Sequence, residues 1–138
     1  MDHLRNTAAS LGLIINKREK TYNSRLAQEL GLWAESKNKG DEFHMAAFKA
    51  YFVEGKNLAK SSVLLDLASS VTLPLDEALE VLEKRSFKKA VDADWEKSKG
   101  YRITGVPAFV LNGDILVGAQ PYETLAQFVK ANGAVKNN

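Results

Sequence analysis

The sequence predicts a mainly α-helical protein with one small β-hairpin near its C-terminus. Three observations predict it. Apolar residues recur at three-and-four spacing through most of the first hundred residues, which is the period of an amphipathic helix. Two short apolar runs, Ala108-Phe109-Val110-Leu111 and Ile115-Leu116-Val117, flank a turn at Asn112-Gly113-Asp114. At about Tyr101 the helical spacing gives way to strand-like runs. That change of regime divides the chain into a helical domain, residues 1–100, and a strand–strand–helix segment, residues 101–133.

The elements follow in order. Leu4, Ala8, Leu11 and Leu13 have a partly helical spacing, with Gly12 as a stop. Ile14-Ile15 and the charged run Lys17-Arg18-Glu19-Lys20 read as an extended, solvated connector. Asn23 or Ser24 can cap a second helix. In it Leu26, Leu30, Trp33 and Ala34 share a face, and Arg25, Glu29 and Lys37 fall largely elsewhere. Asn38-Lys39-Gly40 ends it. A third helix starts at Asp41, with an aromatic face of Phe43, Phe48, Tyr51 and Phe52. After Gly55, Ser61 or Ser62 caps a fourth helix that turns Leu64, Leu65, Leu67, Ala68 and Val71 inward. Pro74 suits the first turn of a fifth, where a missing N–H costs nothing. Asp76 and Glu77 complement its dipole, and Ala78, Leu79, Val81 and Leu82 supply its packing. Ser86 caps a sixth helix, which runs through Val91 and Trp95 to Gly100, and Pro121 opens a last helix after the hairpin.

Composition narrows the function classes. A chain of 138 residues with 45% hydrophobic and 26% charged residues suits a globular domain with a real core. A formal net charge of +2 predicts no nucleic-acid partner. No apolar run is long enough to cross a bilayer, and the N-terminal residues do not resemble a secretion signal, so the expected location is cytoplasmic. The sequence has no cysteine and two histidines, His3 and His44. Disulfides, cysteine–zinc sites and cysteine nucleophiles are therefore excluded within this chain, and neither a metal site nor a cofactor is expected. No Ser/His/Asp set or carboxylate pair stands out as catalytic. Asp92 and Asp94 lie on different helix faces, and the glycines lack phosphate-loop spacing.

Two stretches remain as candidate sites. The aromatic face is either core packing or the lining of an apolar groove that includes His44, Phe48 and Phe52. Pro107 is either a trans proline that starts a strand or a residue with a special backbone role.

The run Thr104-Gly105-Val106-Pro107-Ala108-Phe109-Val110-Leu111-Asn112-Gly113, followed by Val117-Gly118-Ala119-Gln120-Pro121, resembles the C-terminal part of DsbA-like thioredoxin-fold oxidoreductases. Tyr22-Asn23-Ser24-Arg25-Leu26-Ala27 and the run from Phe43 to Phe52 resemble the inserted helical domain of the FrnE-like branch. The resemblance implies a DsbA-type helical insertion joined to an incomplete thioredoxin ββα unit. It also implies a cis Val106–Pro107 bond and a binding loop of Gly105, Val106 and Pro107, where the backbone at Val106 pairs with a peptide or thiol partner. The chain departs from the family pattern in having no Cys-x-x-Cys and no N-terminal βαβ half. Thiol–disulfide exchange needs a thiolate, so the expectation is a redox-inactive chain, truncated or split, with a peptide- or partner-binding role. A second reading from the resemblance is a glutathione-binding relative of kappa glutathione transferases and hydroxychromene-carboxylate isomerases. A third is a structural oligomerisation module.

An isolated two-stranded hairpin is marginal. Its missing neighbours would leave an unpaired edge and an apolar face, expected at Phe109, Leu111, Ile115 and Val117. The expected cover is a second copy of the chain, a separately encoded N-terminal thioredoxin half, or the helical domain folding back, with self-association into a homo-oligomer as the leading expectation.

Overall fold

A computed structural model of the chain describes residues 2–17 and 19–134. Arg18, part of the expected charged connector, lies outside the described residues. The order of elements is α1 (Asp2–Ser10), α2 (Arg25–Ser36), α3 (Gly40–Phe48), α4 (Ser61–Ser70), α5 (Leu75–Lys84), α6 (Lys88–Gly100), β1 (Ala108–Leu111), β2 (Asp114–Val117) and α7 (Tyr122–Ala131). A π-helical turn, Lys49–Val53, continues α3. The chain forms two compact units, Met1–Val91 and Asp92–Asn138, with the division falling inside α6.

In the first unit α2 is the hub. It packs against α3, α4 and α5, and α4 also packs against α3 and α5. Leu30, Ala34, Phe43 and Leu64 are completely buried there, and Trp33 nearly so. The period of the apolar residues explains this, because each helix offers one stripe to the shared core. Two expected inward residues do not follow the stripe: Leu79 and Phe48 are exposed.

Helix ends depart from expectation by a residue or two, for local reasons. At α2 the cap comes from Asn23, whose Oδ1 accepts the Arg25 N–H at 2.8 Å, while Ser24 makes no side-chain cap bond. Ser61 and Ser62 lie inside α4, whose cap position is Lys60, and Pro74 is the cap position of α5 rather than its first turn. The sixth helix begins at Lys88, two residues beyond Ser86. Gly40 does not stop a helix but opens α3. A Cβ there would come within 2.5 Å of Glu35 Cγ and 3.2 Å of Glu35 Cα, so glycine lets α3 start hard against the end of α2.

Glu29 is the main departure within the unit. The sequence pattern sets it off the apolar face, yet it is only 1% exposed. Arg85 forks onto its carboxylate, Nε donating to Oε2 at 2.7 Å and Nη2 to Oε1 at 2.6 Å. Arg25 Nε donates to Oε1 at 2.9 Å. These bonds, led by Arg85, hold the Glu29 carboxyl below the usual carboxylate range. Arg85 is also the left-handed residue that ends α5, with φ of 52°. Glycine usually fills that position, and a side chain there costs about 1–2 kcal/mol. The buried fork on Glu29 accounts for an arginine at this point.

In the second unit Leu111 pairs with Asp114 across a two-residue loop, and Phe109 with Leu116. Asn112 and Gly113 have φ of 51° and 90°, the positive values that a tight hairpin turn requires and that Asn-Gly supplies readily. This register corrects the expected apolar face. A two-residue loop pairs odd-numbered positions with even-numbered ones, so Phe109, Leu111 and Leu116 share one face. Ala108, Val110, Ile115 and Val117 share the other. Both faces therefore carry apolar side chains, with Asp114 beside Leu111 at the turn end of the first, and the apolar residues do not gather on one side. Asn112 Nδ2 donates to the Asn132 carbonyl at 2.7 Å and ties the turn to the end of α7. Among the described residues after Val91 none is buried.

Candidate functional site

Two sites emerge, one in each unit. In the first unit a pocket of about 350 Å³ opens between the start of α2 and the α3–π turn. His44, Phe48 and Phe52, the three groove residues proposed from the sequence, all line it. Phe48 and Phe52 stand 6.4 Å apart between ring centroids, and Tyr51 meets Phe52 edge-on at 5.1 Å. Phe43 is not part of the wall, because it is fully buried in the core. The aromatic face thus divides between core and pocket, as a stripe at the edge of a helix bundle can.

The π turn carries Tyr51 and Phe52. Glu54 N–H closes it on the Lys49 carbonyl at 3.1 Å. The carbonyls of Phe52 and Val53, at the end of this segment, need donors from elsewhere. Asn16 supplies both, its main-chain N–H reaching Phe52 at 2.9 Å and its side-chain amide reaching Val53. The connector after α1 is thereby stitched behind the pocket wall.

Sequence reasoning missed Tyr22, Gln28 and Leu58 as lining residues. They come from three separate stretches, and no local pattern joins them. It also missed what Gly31 does. A glycine inside a helical pattern usually has a packing reason, and here a Cβ would sit 2.7 Å from His44 Cε1. Gly31 gives the imidazole its place, and Glu35 Oε1 holds His44 Nε2 at 3.1 Å. Replacing Gly31 with alanine is expected to swing the half-exposed ring away and part it from Glu35. Stability should change by less than about 1 kcal/mol, because alanine's helix preference offsets the displacement. Ring proton shifts of His44 and a melting curve would check this, and a large loss of stability would count against it.

The pocket is mostly apolar and holds no cysteine; its polar groups are those of Tyr22, Ser24, Gln28, His44 and Tyr51. Among the described residues no cluster of His, Asp or Glu could hold a metal ion. What the wall can do is accept an apolar or aromatic group.

The second site is the loop before β1. Gly105, Val106 and Pro107 lead into the strand, and the Val106–Pro107 bond is cis. Val106 is 89% exposed. The Pro107 carbonyl accepts the Gly118 N–H at 2.7 Å, which continues the β1–β2 ladder by one bond. Alternation along an antiparallel pair then turns the N–H and C=O of Ala108 and Val110 away from β2. The sheet has only these two strands among the described residues, so that edge of β1 is open. The far edge is partly closed, since Gln120 Nε2 donates to the Val117 carbonyl at 2.8 Å.

Known proteins share this fold. A probable DsbA oxidoreductase from Streptomyces coelicolor superposes with a TM-score of 0.84 at 25% identity, over 99% of this chain. The chain spans 61% of that protein's length. A candidate protein disulfide isomerase from Nitrosomonas europaea gives a TM-score of 0.70 at 19% identity, over 94% of this chain and 70% of its own, a likeness of fold. No curated protein matches the chain. The sequence matches the DSBA-like thioredoxin domain family over residues 1–130. With that match covering nearly the whole chain, and with the helical unit and ββα unit in the matching order, this protein belongs to the DSBA-like thioredoxin domain family.

Proposed function

We propose that this chain is a partner- or peptide-binding piece of a DsbA-type oxidoreductase and carries out no thiol–disulfide exchange by itself. The single observation that carries the reading is a DSBA-like domain whose 138 residues include no cysteine. Exchange proceeds by attack of a thiolate on a disulfide sulfur, and this polypeptide offers neither group. What remains is binding. The open β1 edge supports pairing with an extended strand, as sheet edges commonly do, and Val106 stands beside it, exposed. The aromatic pocket supports uptake of an apolar side chain. The occupant of the edge is proposed to be either a separately encoded thioredoxin half or a second copy of the chain. The motifs at Tyr22–Ala27, Phe43–Phe52 and Thr104–Gly113 support placing the chain in the FrnE-like branch.

Insulin reduction with dithiothreitol tests the redox part. The purified chain is expected to give the uncatalysed rate. Clear turnover above it would overturn the reading.

A further inference from the structure

We propose that the first unit binds an extended peptide through two adjoining recesses, taking an apolar side chain in the aromatic pocket and an acidic side chain, two positions away, beside Lys17 and Lys20. The inference rests on the peptide-binding reading above and names the chemistry of the peptide.

A second recess of about 340 Å³ adjoins the aromatic pocket, lined by Lys17, Glu19, Lys20, Tyr22 and Gly55. Tyr22 belongs to the walls of both. The two differ in chemistry. No Asp, Glu, Lys or Arg lines the aromatic pocket, and a carboxylate placed there would lose water without gaining a cation. In the second recess three of the five lining residues are charged. An apolar group therefore belongs on one side of Tyr22 and an ion on the other.

The lysines set the sign of that ion. Among the described residues neither Lys17 nor Lys20 forms an ion pair, whereas Lys56, next to Gly55, is held by Glu54 at 2.7 Å. Glu19 shares the recess, so two lysines and one glutamate leave a single positive charge to be balanced. One carboxylate matches that charge, and a dianionic phosphate exceeds it.

The lysine segment is also anchored to the aromatic wall. Asn16, the residue before Lys17, donates its N–H to the Phe52 carbonyl at 2.9 Å and its side-chain amide to the Val53 carbonyl. The backbone that leads into the lysines is thus tied to the turn that carries Tyr51 and Phe52. Two recesses that share one wall suit two side chains on the same side of an extended peptide. Residues two apart meet that condition, at a spacing of roughly 7 Å.

Fluorescence anisotropy of the full chain with three labelled peptides tests this. The first carries phenylalanine-serine-aspartate within a glycine-serine sequence. The second has asparagine for the aspartate, and the third has serine for the phenylalanine. The first is expected to bind more tightly than the second by roughly two- to five-fold, with the gap closing as salt rises, and the third is expected to bind most weakly. Lys17→Glu together with Lys20→Glu should abolish the preference for aspartate. It should leave binding of the asparagine peptide and the helical circular dichroism signal unchanged. Equal binding of the first two peptides, or a preference for aspartate that survives the double substitution, overturns the inference and leaves the peptide-binding reading standing. Binding of none of the three overturns both. The redox-inactive reading is separate, because insulin turnover alone decides it.

Discussion

Replacing Glu29 with alanine is expected to destabilise the protein by about 3 kcal/mol, or roughly 10 °C in melting temperature. Glu29 is 1% exposed and accepts bonds from Arg85 and Arg25, whose side chains are 39% and 17% exposed. Its loss would take from Arg85 and Arg25 the carboxylate they share, although Arg25 Nη2 still donates to the Lys88 carbonyl at 3.0 Å. Breaking a buried pair from one side costs more than the pair's net worth, because the remaining charge loses its partner. Arg85 also loses its reason to hold a left-handed backbone at the end of α5.

The dependence on pH carries a definite sign. Arg85 and Arg25 depress the Glu29 carboxyl in the folded state. The stability this contributes is fully present above the unfolded-state value, about 4. It is lost as pH falls through the depressed folded-state value. Wild type and Glu29→Gln should therefore differ most at neutral pH and converge in acid. Melting curves across that range would show it, and a gap that stayed constant would sink the account.

Phe43→Ala should be at least as damaging, at about 3–5 kcal/mol. The ring is fully buried among α2, α3 and α4, so truncation removes both its transfer energy and its contacts. Denaturant unfolding followed by fluorescence is a suitable measurement, because Trp33 is only 3% exposed in the same core. Phe109→Ala is the matched control. That ring is 39% exposed, and its loss should cost a fraction of the Phe43 value. Equal losses would mean that the helical core is not where the stability resides.

The surface ion pairs should matter far less. Lys37 and Glu77 meet at 2.5 Å, but their side chains are 39% and 45% exposed, and such pairs contribute about 0–1 kcal/mol. The contrast with Glu29 lies in solvation rather than in distance.

Much of the fold was legible in the sequence because it is written in short-range terms. The three-and-four spacing marked the helices through Trp95, and Asn112-Gly113 between two apolar runs marked the hairpin. The motif around Pro107 pointed to the family and to a cis bond, and both are present. His44, Phe48 and Phe52 were legible as a group because four residues make about one helical turn, which keeps them along one side of α3 and the π-helical turn that continues it. Tyr22, Gln28 and Leu58 were not, since only the approach of separate segments brings them to the same pocket.

By itself the sequence determined which segments would be helix and strand, and that no thiol chemistry can occur within this chain. Those outcomes depend on local backbone preference, on periodicity and on the presence of a sulfur atom. Tertiary structure alone decided the rest. Glu29 is buried because Arg85, 56 positions away, reaches it, and no local pattern encodes that partner. Gly31 and Gly40 are glycines because His44 and Glu35 lie where a Cβ would go. The spread of apolar residues over both faces of the hairpin follows from the parity of its loop. The open edge of β1 is a fact of pairing, and pairing is settled only when strands meet.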